Sequence, residues 1–267
     1  MNLKKLTAIA CVIGLLGLVS EARSQSKEIR NKLFKQVLAD SPDVRECVEK
    51  EEGGTRTAEE NMTVTAVDVN RDGVSEYEVE LSGPCACGMV NCTIYLYRQT
   101  PAGFESLLED AAGLGLELLK TSTNGHVDLR VDARDNAATQ SRSVYKFDGK
   151  RYREASSRLV NVQTGESKPS SQRVQFKRGA SSATVQGRVT LELSDTWVVG
   201  ARAGQVMTVQ LTSPGKVRFM LMTSRTTTSL ADNTRSWTGT LPDTDDYLIL
   251  VDTGAKAATY TMTISIK

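Results

Sequence analysis

The spacing of apolar residues changes character along this chain. From Glu28 to Ala39, the residues Ile29, Leu33, Phe34, Val37 and Leu38 recur at helical intervals and form a single stripe. Ser41-Pro42-Asp43 stops that helix and opens a short second one through Val44, Cys47 and Val48. Glu49 to Glu60 is polar and holds glycine, which predicts a loop. From Met62 the period becomes two. Met62–Asp68, Tyr77–Leu81, Thr93–Tyr97, Val127–Val131 and Val144–Phe147 each read as strands, with turns at Asn124-Gly125 and Asp148-Gly149. Leu107 to Leu119 is apolar, but Gly113 and Gly115 weaken it as a helix, so its state is left open.

Residues 156–171 are rich in Ser, Thr, Gly and Pro and are expected to be a linker. A second strand-rich pattern then runs from Val174 to Ile266. The predicted fold is mainly β with a short N-terminal helical segment. An α+β first domain covers 27–155, and an antiparallel β-sandwich covers 172–267.

The first residues add a location. Lys4 and Lys5 precede an apolar run from Leu6 to Val19, and Ser20-Glu21-Ala22 offers small residues at a cleavage site. This order predicts a signal peptide over 1–22. The run is shorter than the roughly 20 residues of a spanning helix, although an uncleaved anchor is the competing reading. Ala8-Ile9-Ala10-Cys11 faintly resembles a lipoprotein box but sits too early. The chain is therefore expected in the periplasm or outside the cell, with no membrane span after cleavage.

Cysteine usage agrees with that location. Cys47, Cys85, Cys87 and Cys92 remain after the signal segment, an even number that reads as two disulfides in an oxidising compartment. A zinc site is the weaker alternative, because the cysteine spacing does not suit one and His126 is the sole histidine. The sequence does not fix the pairing. Cys85–Cys92 with Cys47–Cys87 is the favoured arrangement, since a bond between Cys85 and Cys87 would be strained. A formal net charge of +1 with no basic cluster argues against nucleic acid as a partner.

Chemistry-bearing motifs are few. Asp68-Val69-Asn70-Arg71-Asp72-Gly73-Val74-Ser75-Glu76 alternates oxygen side chains ahead of a glycine. Asp68, Asn70, Asp72, the Val74 carbonyl and Glu76 can converge on calcium, as in the first half of an EF-hand loop. Position twelve is Val79 and the flanks are strands, so the segment instead resembles the calcium loops of FG-GAP and VCBS-type extracellular repeats. A plain Asx turn joining two strands is the alternative. The chain has no H-E-x-x-H and no G-x-S-x-G motif. Ser213-Pro214-Gly215-Lys216 matches S-x-x-K only formally, because Pro-Gly makes it a turn. His126 lacks a partner motif for general-base work. Trp197 and Trp237 are expected as core or rim anchors, with a sugar-stacking platform as the alternative.

The C-terminal segment carries a resemblance. Val174 to Gly187, Ala201-Arg202-Ala203-Gly204-Gln205-Val206-Met207-Thr208-Val209, Trp237 to Ile249 and Tyr260 to Ile264 together resemble the bacterial pre-peptidase C-terminal domain. That family implies a jelly-roll-like extracellular sandwich. Asp245 stands where its pattern has glycine. The same strand pattern is similar to periplasmic inhibitors of g-type lysozyme, which plug an enzyme cleft with loops from one end of the sandwich. That similarity implies Thr223–Ser229 and Asp232–Arg235 as binding loops, with Arg225 and Arg235 meeting carboxylates of a lysozyme.

The expected function is that of a non-enzymatic binding or accessory protein of the cell envelope, with an envelope protein or a glycan as partner. A g-type lysozyme inhibitor is the alternative, and a hydrolase with an unrecognised site is a further one. Calcium is the one cofactor expected, and no catalytic residue is.

Overall fold

A computed structural model describes residues 27–51 and 54–267. The expected signal peptide over 1–22, Cys11 included, lies outside the described residues. No helix among the described residues is long and apolar enough to cross a membrane. The chain forms two compact units. One runs through Asp132 and takes in Val144–Glu154, and the other joins Ala133–Ser143 to Ala155–Lys267.

The first unit opens with helix α1 (27–40), as its apolar stripe predicts. Helix α2 (Pro42–Lys50) follows at once, with Pro42 at its start, where a missing N–H costs nothing. Helix α3 (Gly54–Glu60) occupies residues expected as loop. Its sequence is polar all round, so the apolar pattern gave no sign of it. An Arg56–Glu60 pair at 3.2 Å and the Arg30 guanidinium on the Glu59 carbonyl at 2.6 Å hold this turn of chain.

Strands β1 (Met62–Val67), β2 (Glu76–Leu81), β3 (Cys92–Thr100), β4 (Gly103–Gly113), β5 (Leu116–Thr123), β6 (His126–Arg134), β7 (Thr139–Phe147) and β8 (Tyr152–Asn161) form one sheet. Its order is β1-β2-β3-β4-β8-β7-β6-β5, and β9 (Ser167–Pro169) pairs with β8. The ambiguous run Leu107–Leu119 thus becomes the end of β4 and the start of β5. Gly113 permits this because a Cβ there would lie 2.5 Å from Val131 Cγ1 and 2.6 Å from the Asp132 carbonyl oxygen.

Strand β3 is central, and Ile94, Tyr95, Leu96 and Tyr97 are buried in succession. Consecutive burial means that both faces of the strand are covered. Tyr95 and Tyr97 face a core made with Leu33, Phe34 and Val37 of α1, while Ile94 and Leu96 face a core with Leu107, Leu129, Phe147 and Tyr152. Tyr97 Oη donates to Asp40 at 3.0 Å and Ser41 Oγ donates to Tyr95 Oη at 3.1 Å, tying the end of α1 to the sheet. Burial and the neighbouring Asp40 carboxylate both raise the Tyr97 phenol above its ordinary range.

The disulfides are Cys47–Cys85 and Cys87–Cys92, which corrects the favoured pairing. Cys87 and Cys92 face each other across an isolated antiparallel bridge, so they close the short loop themselves. The chain turns tightly just before, with the N–H groups of Ala86 and Cys87 both reaching the Gly83 carbonyl, which leaves Cys85 to meet α2. Cys47–Cys85 closes 38 residues, and chain entropy gives such a link about 4 kcal/mol, against about 2 for a five-residue loop.

Within the second unit, Ser156–Ser171 is not an irregular connector. It holds the end of β8 and all of β9. Pairing of Arg158–Val160 with Ser167–Pro169 holds this stretch extended despite its local composition, so a linker-like composition conceals strand structure here. The sandwich proper has two sheets. One is ordered β10 (Gln172–Arg173), β12 (Asp195–Ala201), β17 (Asp245–Thr253), β14 (Val217–Thr223), β15 (Ser229–Thr234). The other is ordered β11 (Ser182–Thr190), β18 (Ala257–Ile266), β13 (Val206–Thr212), β16 (Ser236–Thr240). All these pairs are antiparallel except β10 with β12. Val199, Phe219, Leu221, Tyr247 and Ile249 from the first sheet meet Met207, Val209, Met262 and Ile264 from the second, which is the alternation predicted.

A buried polar chain crosses this core. Trp197 Nε1 donates to Tyr260 Oη at 2.6 Å, and Tyr260 Oη donates to Asp195 Oδ2 at 2.6 Å. Lys168 Nζ, from β9, completes the chain at 2.8 Å from Asp195 Oδ1. Asp195 is 4% exposed, so pairing with Lys168 and hydrogen bonding are what make its charge tolerable there. Gly187 makes the arrangement possible, since a Cβ there would lie 2.2 Å from Asp195 Oδ2 and 2.5 Å from Tyr260 Oη. Gly187→Ala should therefore lower unfolding stability by about 1–3 kcal/mol in urea titration of the full chain. An unchanged midpoint would mean that the chain yields without cost.

Candidate functional site

One end of the sandwich gathers charged side chains on short loops. Strand β14 ends at Thr223, and Ser224–Thr228 turns the chain into β15. Hydroxyl groups fix this turn. Thr223 Oγ1 lies 2.8 Å from Thr226 Oγ1, which lies 2.9 Å from Thr228 Oγ1, and the Thr228 N–H donates to Thr223 Oγ1 at 3.0 Å. Thr227 has φ of +50°, a backbone conformation that a β-branched residue enters only under strain.

Arg225 stands on this turn with its side chain 77% exposed. Asp245, at the start of β17, holds it from behind. Asp245 Oδ2 accepts the Arg225 N–H at 3.2 Å, Oδ1 accepts the Asp246 N–H at 2.9 Å, and Arg225 Nε lies 3.4 Å from Oδ1. Arg225 Nη2 also donates to the Thr244 carbonyl at 3.3 Å. The guanidinium is thus anchored along one edge and open along another. The Asp245 side chain is only 7% exposed. Its departure from the glycine of the family pattern is therefore put to use in placing the arginine. Tyr247 Oη holds the neighbouring turn ahead of β17, donating to the Asp243 carbonyl at 2.7 Å and accepting the Asp243 N–H at 3.2 Å.

Beside Arg225 lies a shallow hollow of about 640 Å³ that also involves Arg202, Gln205 and Asp246. Arg173 grips Asp246 with both ends of its guanidinium, Nη1 on Oδ1 at 3.0 Å and Nη2 on Oδ2. The Arg173 hydrogen bonds hold the Asp246 carboxyl below its ordinary value.

Arg235 does not join this site. Its guanidinium caps the turn between β13 and β14, with Nε on the Val217 carbonyl at 3.1 Å, Nη1 on the Ser213 carbonyl and Nη2 on the Gly215 carbonyl. Val217 and Thr223 bound β14, so Arg235 and Arg225 sit at opposite strand ends, roughly 20 Å apart at the usual rise per residue. Of the two expected binding arginines, Arg235 thus has its guanidinium engaged by turn carbonyls, whereas Arg225 stands exposed. Ser213–Lys216 is the turn that Arg235 caps.

The loop expected to hold calcium is closed by its own hydrogen bonds. Asp68 accepts the N–H groups of Arg71 at 2.6 Å and Gly73 at 3.1 Å, Asn70 accepts that of Asp72 at 3.0 Å, and Asp72 accepts that of Val74 at 2.7 Å. Glu76 is 2% exposed, and its Oε2 accepts the Val69 N–H at 3.0 Å. Asp68, Asp72 and Glu76 do not bring one oxygen each within 4.8 Å of one another. As they stand, these residues make an Asx-type turn. Cys47, Cys85 and Glu51 are close enough to suggest a metal cluster, but the two sulfurs are bonded to each other.

The remaining candidates pack against their neighbours. Trp197 is buried in the polar chain, and Trp237 packs inward, its ring filling the space where Gly239 has no Cβ. His126 stacks on Phe147 with ring centroids 3.7 Å apart, and its Nδ1 lies 3.3 Å from the Asn124 carbonyl.

No protein-family model matches the chain, and no curated protein matches it. Among solved structures, the chain is similar to a periplasmic inhibitor of g-type lysozyme from Aeromonas hydrophila. That likeness has 25% identity and a TM-score of 0.35, and covers 37% of this chain and 96% of the inhibitor. The corresponding Salmonella Typhimurium inhibitor gives 24% identity, a TM-score of 0.32, and coverage of 38% of this chain and all of that one. The pre-peptidase C-terminal domain of a Bacillus anthracis collagenase gives 12%, 0.28, and coverage of 36% and 96%. The resemblance noted in the sequence thus extends to solved structures of both kinds, over little more than a third of this chain.

The Arg173–Asp246 pair gives a pH signature. The folded Asp246 carboxyl sits below its usual 3.8, so its contribution is present above the unfolded value and lost as pH falls through the folded one. With side chains 52% and 39% exposed, the pair is worth no more than about 1 kcal/mol. Acid titration of stability should show that small loss in the parent chain and not in Arg173→Ala.

Proposed function

We propose that this protein is an exported, non-enzymatic binding protein of the bacterial envelope, and that its C-terminal sandwich docks a partner protein at the end carrying Arg225. The observation that carries this reading is Arg225 itself, exposed on a strained turn pinned by hydroxyl groups and held from behind by the buried Asp245. An arginine fixed in this way loses little freedom on binding and can meet a carboxylate through two parallel hydrogen bonds. The disulfides support an oxidising compartment, in keeping with a signal peptide over 1–22.

The partner to test first is a g-type lysozyme, the enzyme that the similar periplasmic inhibitors inhibit. A glycosidase cleft lined by carboxylates is the kind of surface that Arg225 suits. The full chain should slow lysis by a g-type lysozyme at micromolar concentration. Arg225→Ala should weaken that effect about 30-fold or more, as expected for loss of an interface anchor of about 2 kcal/mol. No inhibition by the parent chain at about 10 μM would remove lysozyme as the partner. Capture of envelope proteins that is indifferent to Arg225→Ala would remove the sandwich end as the docking surface.

A further inference from the structure

The outer face of the sheet β11-β18-β13-β16 has an unusual composition. Strand alternation turns Val185, Val209, Met262 and their neighbours inward, so the intervening residues face outward. Apart from Arg188, Ala257 and Val206, every outward residue of these four strands is Ser, Thr or Gln. Arg188 is already paired with Glu166 at 3.0 Å. In a chain with 24% charged residues, a whole sheet face without a free charge needs a reason. Exposed strand surfaces ordinarily carry lysine and glutamate for solubility and to discourage edge pairing.

The strand register sets these groups in rows. Thr184, Thr263, Gln210 and Ser236 stand side by side across the sheet, and Gln186, Thr261 and Thr212 form the next row. Neighbours lie about 4.8 Å apart across the strands and roughly 7 Å apart along them. Some hydroxyls are spent on each other, with Thr184 against Thr263 at 3.2 Å and Thr208 against Thr238 at 3.0 Å.

The second row differs. Gln186, Thr212 and Thr261, with Thr259 of the next row, line a hollow of about 480 Å³ together with Gly187, Pro214 and Tyr260. No side-chain hydrogen bond to the described residues uses these four groups. The hollow thus offers an amide and three hydroxyls, each able to donate and accept, with no charge among them.

We infer that this hollow and the adjoining rows bind a neutral oligosaccharide. The ligand must be uncharged to match the face, and must carry donors and acceptors at every step to use the rows. The hollow falls in the volume range that holds small ligands. Trp197, Trp237 and Tyr260 all turn their rings inward, so no aromatic platform faces the ligand, and affinity rests on hydrogen bonds and is modest. This site is independent of the sandwich end and of the reading based on Arg225.

The test uses the full chain, isotope-labelled for NMR, and the uncharged tetramer of N-acetylglucosamine as probe. Saturable shifts are expected at the Gln186 side-chain amide and at Thr259–Thr261, and not at Ser224–Thr228, with Kd near about 1 mM. Thr261→Val keeps the β-branched shape and removes only the hydroxyl. It should weaken binding about tenfold with no change in Tm, as should Gln186→Ala. Raising salt from about 0.05 to 0.5 M should leave Kd within twofold. Absence of saturation by about 10 mM, shifts confined to another face, or full affinity in Thr261→Val would each overturn the inference. So would binding that appears only with an anionic oligosaccharide of the same length.

Discussion

The Asp245 carboxylate is the constraint on which the candidate site depends. It is almost fully buried at the head of β17, accepts the main-chain N–H groups of Arg225 and Asp246, and pairs with the Arg225 guanidinium. A buried carboxylate is tolerable only when its oxygens are occupied in this way. The interaction therefore acts in both directions. Arg225 and the two N–H groups stabilise the charge, and the charge fixes where the arginine points. A glycine at this position would leave the Ser224–Thr228 turn without its rear support.

That anchor in turn rests on a rigid sandwich. The two sheets share an apolar layer, and the chain Lys168–Asp195–Tyr260–Trp197 runs through it with its hydrogen bonds satisfied. Such a network specifies one relative placement of the strands, because any slip strands a buried polar group at a cost of about 1–3 kcal/mol. Lys168 brings β9 into that network, which is why a serine-rich stretch with the composition of a linker is part of the second unit.

The alternating pattern made the strands legible, because the period-two signal is a direct consequence of burying one face. The α1 stripe was legible for the same reason. What could not be read were features set by contacts between distant residues. Helix α3 has no apolar face, so nothing in its local sequence marked it. The cysteine pairing followed from a tight turn at Gly83–Cys87 and a bridge between Cys87 and Cys92 that spacing alone does not reveal. Arg225 was found through the resemblance of the C-terminal segment. Its partner Asp245 was noticed only as a departure from a glycine, and nothing local marked Thr227 at positive φ. Arg235 looked equivalent to Arg225 in sequence, and only the strand geometry separates the residue that caps a turn from the one that faces outward. In the oxygen-rich loop at 68–76, the side-chain set that can cage a cation also satisfies its own backbone, so the motif suits both readings.

The central claim is that the Arg225 turn is fixed before any partner arrives, and backbone relaxation of the free, full-length protein measures this directly. Amide order parameters for Ser224–Thr228 should match those of β14 and β17, near about 0.85. Values below about 0.6 across this turn, with β14 still rigid, would contradict a preorganised docking surface.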